Sequence, residues 1–441
     1  MRRFRAQAGR PLSGEATVPG DKSISHRAIM FGALAEGDIR VTGFLEGADC
    51  LATMAAFRQM GVDIEHDAGA GRLLVRGVGL HGLQRPESAL DVGNSGTSMR
   101  LLSGLLAGQA FDSELTGDDS LRRRPMARVV GPLRSMGANI DTAEGGRAPL
   151  HIRGRAALRG IDYVMPVASA QVKSCLLLAG LYAEESVSLT EPGPSRDHSE
   201  RMFEAFGVAV TREKARLRLA PGQSLRACDV EVPADLSSAA FLLVAASIVP
   251  GSELLLRNVG VNPTRDGVLT ILKQMGADIT RENERLAGGE PVADLRVRHA
   301  PLRGIDIDPA LVPLAIDEFP ALFVAAACAQ GVTRLRGAAE LRVKESDRIA
   351  VMADGLQALG VQVSVREDGA DIHGGPLGGG RVDSHGDHRV AMAFAVAGQV
   401  SRSAIEILDC DNVDTSFPGF VALGRSVGLS INEFSDTEAP Q

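Results

Sequence analysis

A helix-end signal recurs six times along the 441-residue chain and restricts what it can fold into. It consists of an apolar residue, a glycine and an alternating apolar segment: QMGVDIE, SMGANID, AFGVAV, QMGADIT, ALGVQVSV and SVGLSIN. The glycines are Gly61, Gly137, Gly207, Gly276, Gly360 and Gly428, spaced 68 to 84 residues apart. Glycine just past a helix accepts the left-handed C′ conformation, and a period-two run after it reads as a strand. A second element shares the period: a strand-like segment, a polar turn and an Ala/Leu-rich helix, headed near Ser23, Ser95, Ser169, Ser237, Asp317 and Asp387. Each unit of roughly 70 residues therefore holds two helices with strands between and after them, an α/β repeat.

The first helix of each unit, as in DLSSAAFLLVAAS, is almost uniformly apolar and is expected to be buried. The second, as in CLATMAAFRQM and RMFEAF, is amphipathic and is expected to face solvent. Six units exceed one compact core, so three plus three is the expected division, with a break around residues 234 to 240. A continuous six-repeat solenoid is the alternative, and the irregular loops argue against it.

Charge and cysteines narrow the function. A net charge of −8 argues against a general nucleic-acid binder, so any cation cluster is local and suited to small anions. No apolar run reaches the roughly 18 residues of a membrane span, and basic MRRFRAQAGR lacks a signal-peptide apolar region. Five cysteines without a CxxC pair read as reduced thiols of a cytoplasmic enzyme rather than a disulfide or zinc framework.

If the repeats are arranged pseudo-symmetrically, their helix N-termini can point to a common cleft, and reactive residues do concentrate at those starts. First helices begin with Lys22, Ser23 and Arg27; with Asn94, Ser95, Gly96, Thr97 and Arg100; with Ser169, Gln171 and Lys173; with Asp317; and with His388 and Arg389. Second helices begin with Arg124, Arg196, Arg265, Lys344, Glu345 and Arg348, of which Arg265 reads as structural or interfacial. Cations at dipole-positive ends repel one another unless anions are bound, so ligands with several negative charges are expected. GNSGTSMR is not a GxxxxGK[ST] loop, and no nucleotide is implied. His385, Asp387 and His388 lack a further Cys/His cluster and read as structural or substrate-binding rather than metal ligands. Asp317 is either an ordinary N-cap or a base, and Glu345 either an ion-pair member or an acid; together they suit acid–base work on a bound hydroxyl.

PGDKSISHRA, GNSGTSMRLL, RRRPM, SAQVKS, SRDHSER, DEFPAL, LRVKESDR and GDHRVAM run in order from residue 19 to beyond residue 390. In these the chain resembles the 5-enolpyruvylshikimate-3-phosphate synthase (3-phosphoshikimate 1-carboxyvinyltransferase) family. The resemblance implies a two-domain inside-out α/β barrel of six βαβαββ repeats with buried helices, three per domain. It implies domains of residues 21–236, and 1–20 with 237–441, with the active site in the cleft between them. It implies transfer of the enolpyruvyl group of phosphoenolpyruvate to the 5-hydroxyl of shikimate 3-phosphate, with no cofactor and no metal. The implied partners are those two anions alone, with no nucleic acid or membrane, in a cytoplasmic monomer.

By resemblance, Lys22, Ser23, Arg27, Ser169, Arg196, Asp317 and Lys344 hold shikimate 3-phosphate. Lys22, Gly96, Arg124, Gln171, Arg348 and Arg389 hold phosphoenolpyruvate. Asp317 takes the hydroxyl proton, while Glu345 and Lys22 handle the carbon and phosphate protons. Two positions depart from patterns in the family: Thr415 stands where some members carry lysine, and Glu340 where others carry asparagine. SRDHSER resembles members less sensitive to glyphosate, whereas Gly96 is typical of sensitive ones. The related UDP-N-acetylglucosamine enolpyruvyl transferases place a cysteine in the loop that here reads DDSLRRRPM. A repeat-built anion-binding scaffold has no use for Asp317 and Glu345.

Overall fold

The computed structural model describes residues 1–154 and 157–435. Among the described residues, twelve helices of eight or more residues alternate in burial along the sequence. They are α1 (Lys22–Leu34), α2 (Ala48–Gln59), α3 (Gly96–Ala107), α4 (Ala127–Ser135), α5 (Ala170–Gly180), α6 (His198–Ala205), α7 (Leu236–Ile248), α8 (Gly267–Gln274), α9 (Phe319–Ala327), α10 (Arg348–Ala358), α11 (His388–Ala397) and α12 (Phe420–Val427). Odd-numbered helices are the apolar first helices of the repeats. All 13 residues of α7 and all nine of α9 are buried, as uniform apolarity demands. Even-numbered helices bury one stripe; α6, for instance, buries His198, Ser199, Met202 and Phe203. The six helix-end glycines all take positive φ, from +81° to +118°, a conformation that any side chain would strain.

The chain divides into two compact units. One comprises Gly20–Val232 with Ala287–Glu290; the other comprises Met1–Pro19, Pro233–Leu286 and the chain from Pro291 onward. Each unit has its own continuous apolar core around its three odd-numbered helices.

The sheets, one per repeat, follow a common plan. In the second repeat Leu90–Asp91 runs parallel to Ser113–Thr116, which pairs antiparallel with Arg147–Arg153, itself antiparallel to Asn139–Ala143. In the first repeat the leading parallel position beside Ala35–Thr42 is filled from the far end of the same unit, by Leu225–Arg226 and Val230–Glu231. In the other unit Ser13–Ala16 fills that position beside Glu253–Gly260. Arg2–Ala6 lies between Ile405–Leu408 and Ile431–Ser435, antiparallel to both. Segments distant in sequence thus cover sheet edges that would otherwise expose unpaired backbone groups.

Candidate active site

In the unit of residues 20–232, α1 starts beneath an Asp21 cap whose carboxylate accepts from Ile24 N at 2.9 Å. Its first two turns present Lys22, Ser23 and Arg27. Lys22 Nζ is ion-paired with the Asp49 carboxylate of α2. The buried Arg27 donates from Nε to Ser199 Oγ (2.7 Å), from Nη2 to Ser174 Oγ (2.8 Å) and from Nη1 to the Ser23 carbonyl (2.8 Å). All three acceptors are neutral, and burial lowers the Arg27 guanidinium to about 10 despite the nearby Asp21 charge.

The starts of α3 and α5 form a second group. Ser95 caps α3, and Arg100 Nη1 donates to Gln171 Oε1 of α5 at 2.7 Å. Gln171 Nε2 donates to Thr97 Oγ1 at 3.0 Å, and Arg124 Nη2 to Asn94 Oδ1 at 2.5 Å. A Cβ placed on Gly96 would stand 2.8 Å from Arg100 Nη1 and 3.4 Å from Arg124 Nη1, so only glycine leaves these guanidinium groups undisturbed. Ser169 caps α5, its Oγ accepting from Val172 N at 3.4 Å, and Arg196 is half-buried two residues ahead of α6. His26 lies under the two groups: its Nδ1 is 2.8 Å from Thr53 Oγ1 and 3.3 Å from Ser98 Oγ. Burial first, then the Lys22 and Arg27 charges, push its pKa well below the ordinary imidazole range.

In the other unit, Asp317, Lys344, Glu345, Arg348 and Arg389 fall into one cluster. Lys344 Nζ lies 3.4 Å and Arg348 Nη1 3.6 Å from Asp317 Oδ1. Arg348 donates from Nη2 to Glu345 Oε2 at 2.6 Å and from Nε to Asp387 Oδ2 at 2.8 Å. Arg389 Nη1 donates to the Asp317 carbonyl at 3.1 Å, and its backbone N to Asp387 Oδ1 at 2.9 Å. Arg348 and Asp387 are buried, whereas Asp317, Lys344 and Glu345 retain side-chain exposures of 19%, 22% and 26%. Burial works against the Asp387 carboxylate, but Arg348 outweighs it and holds the pKa below the usual range. Three partly open groups thus sit on a fixed, buried ionic base.

Some placements differ from expectation. Asp317 is not an N-cap: α9 begins at Phe319 with Pro320 in its first turn, Glu318 takes the cap position, and Asp317 is left to its cationic neighbours. Arg124 does not open a second helix but ends the short helix Asp119–Arg123 in extended conformation, as the residue before Pro125 should. Arg265, by contrast, is placed as its structural reading had it: buried, donating to Asp235 Oδ1 at 2.8 Å and to Ser237 Oγ. Resident carboxylates meet several of the cations: Asp49 meets Lys22, Asp317 meets Lys344, and Asp387 and Glu345 meet Arg348. Thr415 Oγ1 is spent within its own turn on the Asn412 carbonyl, and Glu340 lies in the 3-10 turn Ala339–Val343. Among the described residues no group of three or more His, Cys, Asp or Glu side chains is placed to hold a metal ion.

Sequence reasoning missed Asp49, Ser174 and Ser199. An acid in a helix's first turn is so ordinary that Asp49 carries no signal, while the two serines lay unremarked in SAQVKS and SRDHSER.

Two three-repeat α/β units whose helix starts gather arginines, lysines and paired carboxylates define an enzyme class built for small, multiply charged anions. A family model described as EPSP synthase (3-phosphoshikimate 1-carboxyvinyltransferase) matches residues 6–423. A 3-phosphoshikimate 1-carboxyvinyltransferase of Alkalilimnicola ehrlichii is 63% identical over 429 residues, covering 97% of this chain and 96% of its own. That of Methylococcus capsulatus is 62% identical over 428 residues, covering 97% and 98%. A solved EPSP synthase structure from Acinetobacter baumannii aligns with a TM-score of 0.89 at 54% identity, over 99% of this chain and 100% of that one. The chain belongs to the EPSP synthase family.

Proposed function

We propose that the two clusters divide one reaction between them. The chain is an enolpyruvyl transferase of the shikimate pathway: it moves the enolpyruvyl group of phosphoenolpyruvate to the 5-hydroxyl of shikimate 3-phosphate and releases phosphate. Ser23, Arg27, Ser169 and Arg196, with Lys22, Asp317 and Lys344, hold shikimate 3-phosphate. Gly96, Arg124, Gln171, Arg348 and Arg389, again with Lys22, hold phosphoenolpyruvate.

Protonation of the methylene carbon of phosphoenolpyruvate makes C2 cationic, and the 5-hydroxyl oxygen attacks it as Asp317 removes the hydroxyl proton. The tetrahedral adduct then loses phosphate from C2 and a proton from the methyl carbon, restoring the double bond. Glu345 and Lys22 carry the carbon and phosphate protons in both steps. Lys22 belongs to one unit and the two acids to the other, so the proposal requires both to meet on one pair of substrates during turnover, which would align them and exclude water.

The observation that carries the proposal is the partly open Asp317–Lys344–Glu345 row fixed by buried Arg348 and Asp387. Phosphate release measured with shikimate 3-phosphate, and separately with UDP-N-acetylglucosamine, tests it. Release is expected only with the first and is expected to collapse in Asp317→Ala; undiminished release in that variant refutes the assignment of the base.

A further inference from the structure

Lys173 is a fully buried lysine in the first turn of α5 that the proposed chemistry does not use. Its Nζ lies 2.8 Å from Glu200 Oε1, 3.2 Å from Glu191 Oε1 and 3.5 Å from the Ser195 carbonyl oxygen. Glu191 is almost wholly buried at the end of strand Val187–Thr190 and also accepts the Ser195 hydroxyl. Half-exposed Arg212 closes the cluster from outside, 2.9 Å from Glu191 Oε2 and 3.2 Å from Glu200 Oε1. Both polar handles of Ser195, carbonyl and hydroxyl, are therefore held by the cluster.

The Ser195 carbonyl belongs to the same planar peptide as the Arg196 nitrogen and Cα, so a hold on that oxygen restrains where the Arg196 Cα lies. The lysine's own helix carries Ser169 one turn earlier, with Lys173 N bonded to the Ser169 carbonyl at 3.0 Å. Ser174, the next residue, accepts from Arg27. One helical turn thus links three of the groups assigned to shikimate 3-phosphate. Burying such a charge is weak evidence of added stability, since apolar replacements of buried ion pairs are often as stable. Geometry is the better reason for its presence.

We infer that Lys173, with Glu191 and Ser195, is a positioning residue for recognition of the phosphate of shikimate 3-phosphate, acting through the Ser195–Arg196 peptide. The inference rests on the assignment of Arg196 to that substrate. Without the grip, the loop still folds but Arg196 is offered in several directions, so affinity for this one substrate falls while phosphoenolpyruvate binding and the chemical step persist.

The test is steady-state kinetics with each substrate varied, together with Tm, for wild type, Arg196→Ala, Ser195→Ala, Lys173→Met and Lys173→Met/Glu191→Gln. Lys173→Met and Ser195→Ala are expected to raise KM for shikimate 3-phosphate by about tenfold or more, within the range of small misplacements, and to leave KM for phosphoenolpyruvate within about twofold. The double variant removes the charge imbalance; it is expected to recover Tm without recovering KM, which a purely structural role would not produce. Should Lys173→Met fail to fold, Ser195→Ala decides. If Arg196→Ala raises KM while Ser195→Ala and the foldable Lys173 variants do not, the positioning role is overturned alone. If Arg196→Ala itself leaves KM unchanged, the assignment of Arg196 falls and the inference with it.

Discussion

Arg27 and Arg348 are both buried, at 3% and 1% exposure, but in opposite company. Arg27 spends three N–H groups on two serine hydroxyls and a carbonyl, and burial lowers its pKa. Burial acts on Arg348 in the same direction, yet Asp387, Glu345 and Asp317 outweigh it and raise the pKa above the ordinary arginine value. A guanidinium ligated by neutral oxygens keeps its whole field for an incoming anion, whereas one surrounded by carboxylates divides it between them and the anion. Arg27 therefore suits substrate capture alone, whereas Arg348 suits keeping acids in reach of a reacting atom while it also meets phosphoenolpyruvate.

The largest expected difference is in stability. Arg348→Met strands buried Asp387 beside Glu345 and is expected to cost about 3–5 kcal/mol, as removing one partner of a buried pair does. Arg27→Met leaves only hydroxyls and a carbonyl to re-pair and is expected to cost about 1–3 kcal/mol, with a marked rise in KM for shikimate 3-phosphate. Urea unfolding of both variants checks this, and equal costs would erase the distinction. Next comes turnover: Asp317→Ala is expected still to bind shikimate 3-phosphate through the other residues assigned to it, yet lose at least roughly a hundredfold in kcat, about 2.7 kcal/mol. Near-normal kcat would mean that the carboxylates around Arg348 serve only to balance its charge.

How much of this was legible in the chain depended on range. The helix-end glycines were readable because positive φ is a local demand, met at all six. The inner helices were readable because a helix apolar on all sides must be enclosed, as α7 is. The grouping of Lys344 and Glu345 just ahead of α10 with Arg348 at its start was readable by type and position. Pairing between distant segments was not: nothing in RRFRA says that it lies between Ile405–Leu408 and Ile431–Ser435. Nor does GADCLAT disclose that Asp49 partners Lys22, or SAQVKS that Lys173 grips the peptide before Arg196.

Smaller effects sharpen the contrast on the capture side. Gly96→Ala puts a methyl against the Arg100 and Arg124 guanidinium ends, which can yield without disturbing the fold. The expected outcome is a Tm close to wild type, a rise of about tenfold in KM for phosphoenolpyruvate, near 1.4 kcal/mol, and weaker inhibition by glyphosate. Inhibition identical to wild type would remove Gly96 from that subsite.

The mildest effect concerns acid. Folded His26 stays neutral because burial, Lys22 and Arg27 all oppose its protonation, while in the unfolded chain it titrates near 6.5. Below that value the unfolded state binds the extra proton, so this contribution to stability is whole above about pH 6.5 and declines as pH falls toward the lower folded value. The slope for one proton is about 1.4 kcal/mol per pH unit. His26→Asn abolishes that proton difference while keeping a polar group beside Thr53 and Ser98. The gap in unfolding free energy between wild type and variant is therefore expected to narrow by about 1 kcal/mol between pH 6.5 and pH 5.5. A gap that stays constant across this range would mean that the His26 proton is bound equally in both states. The neutral network of His26, Thr53 and Ser98 joining the N-terminal halves of α1, α2 and α3 would then have to tolerate a third positive charge beside Lys22 and Arg27, which is the arrangement that the hydroxyl-lined capture side is built to avoid.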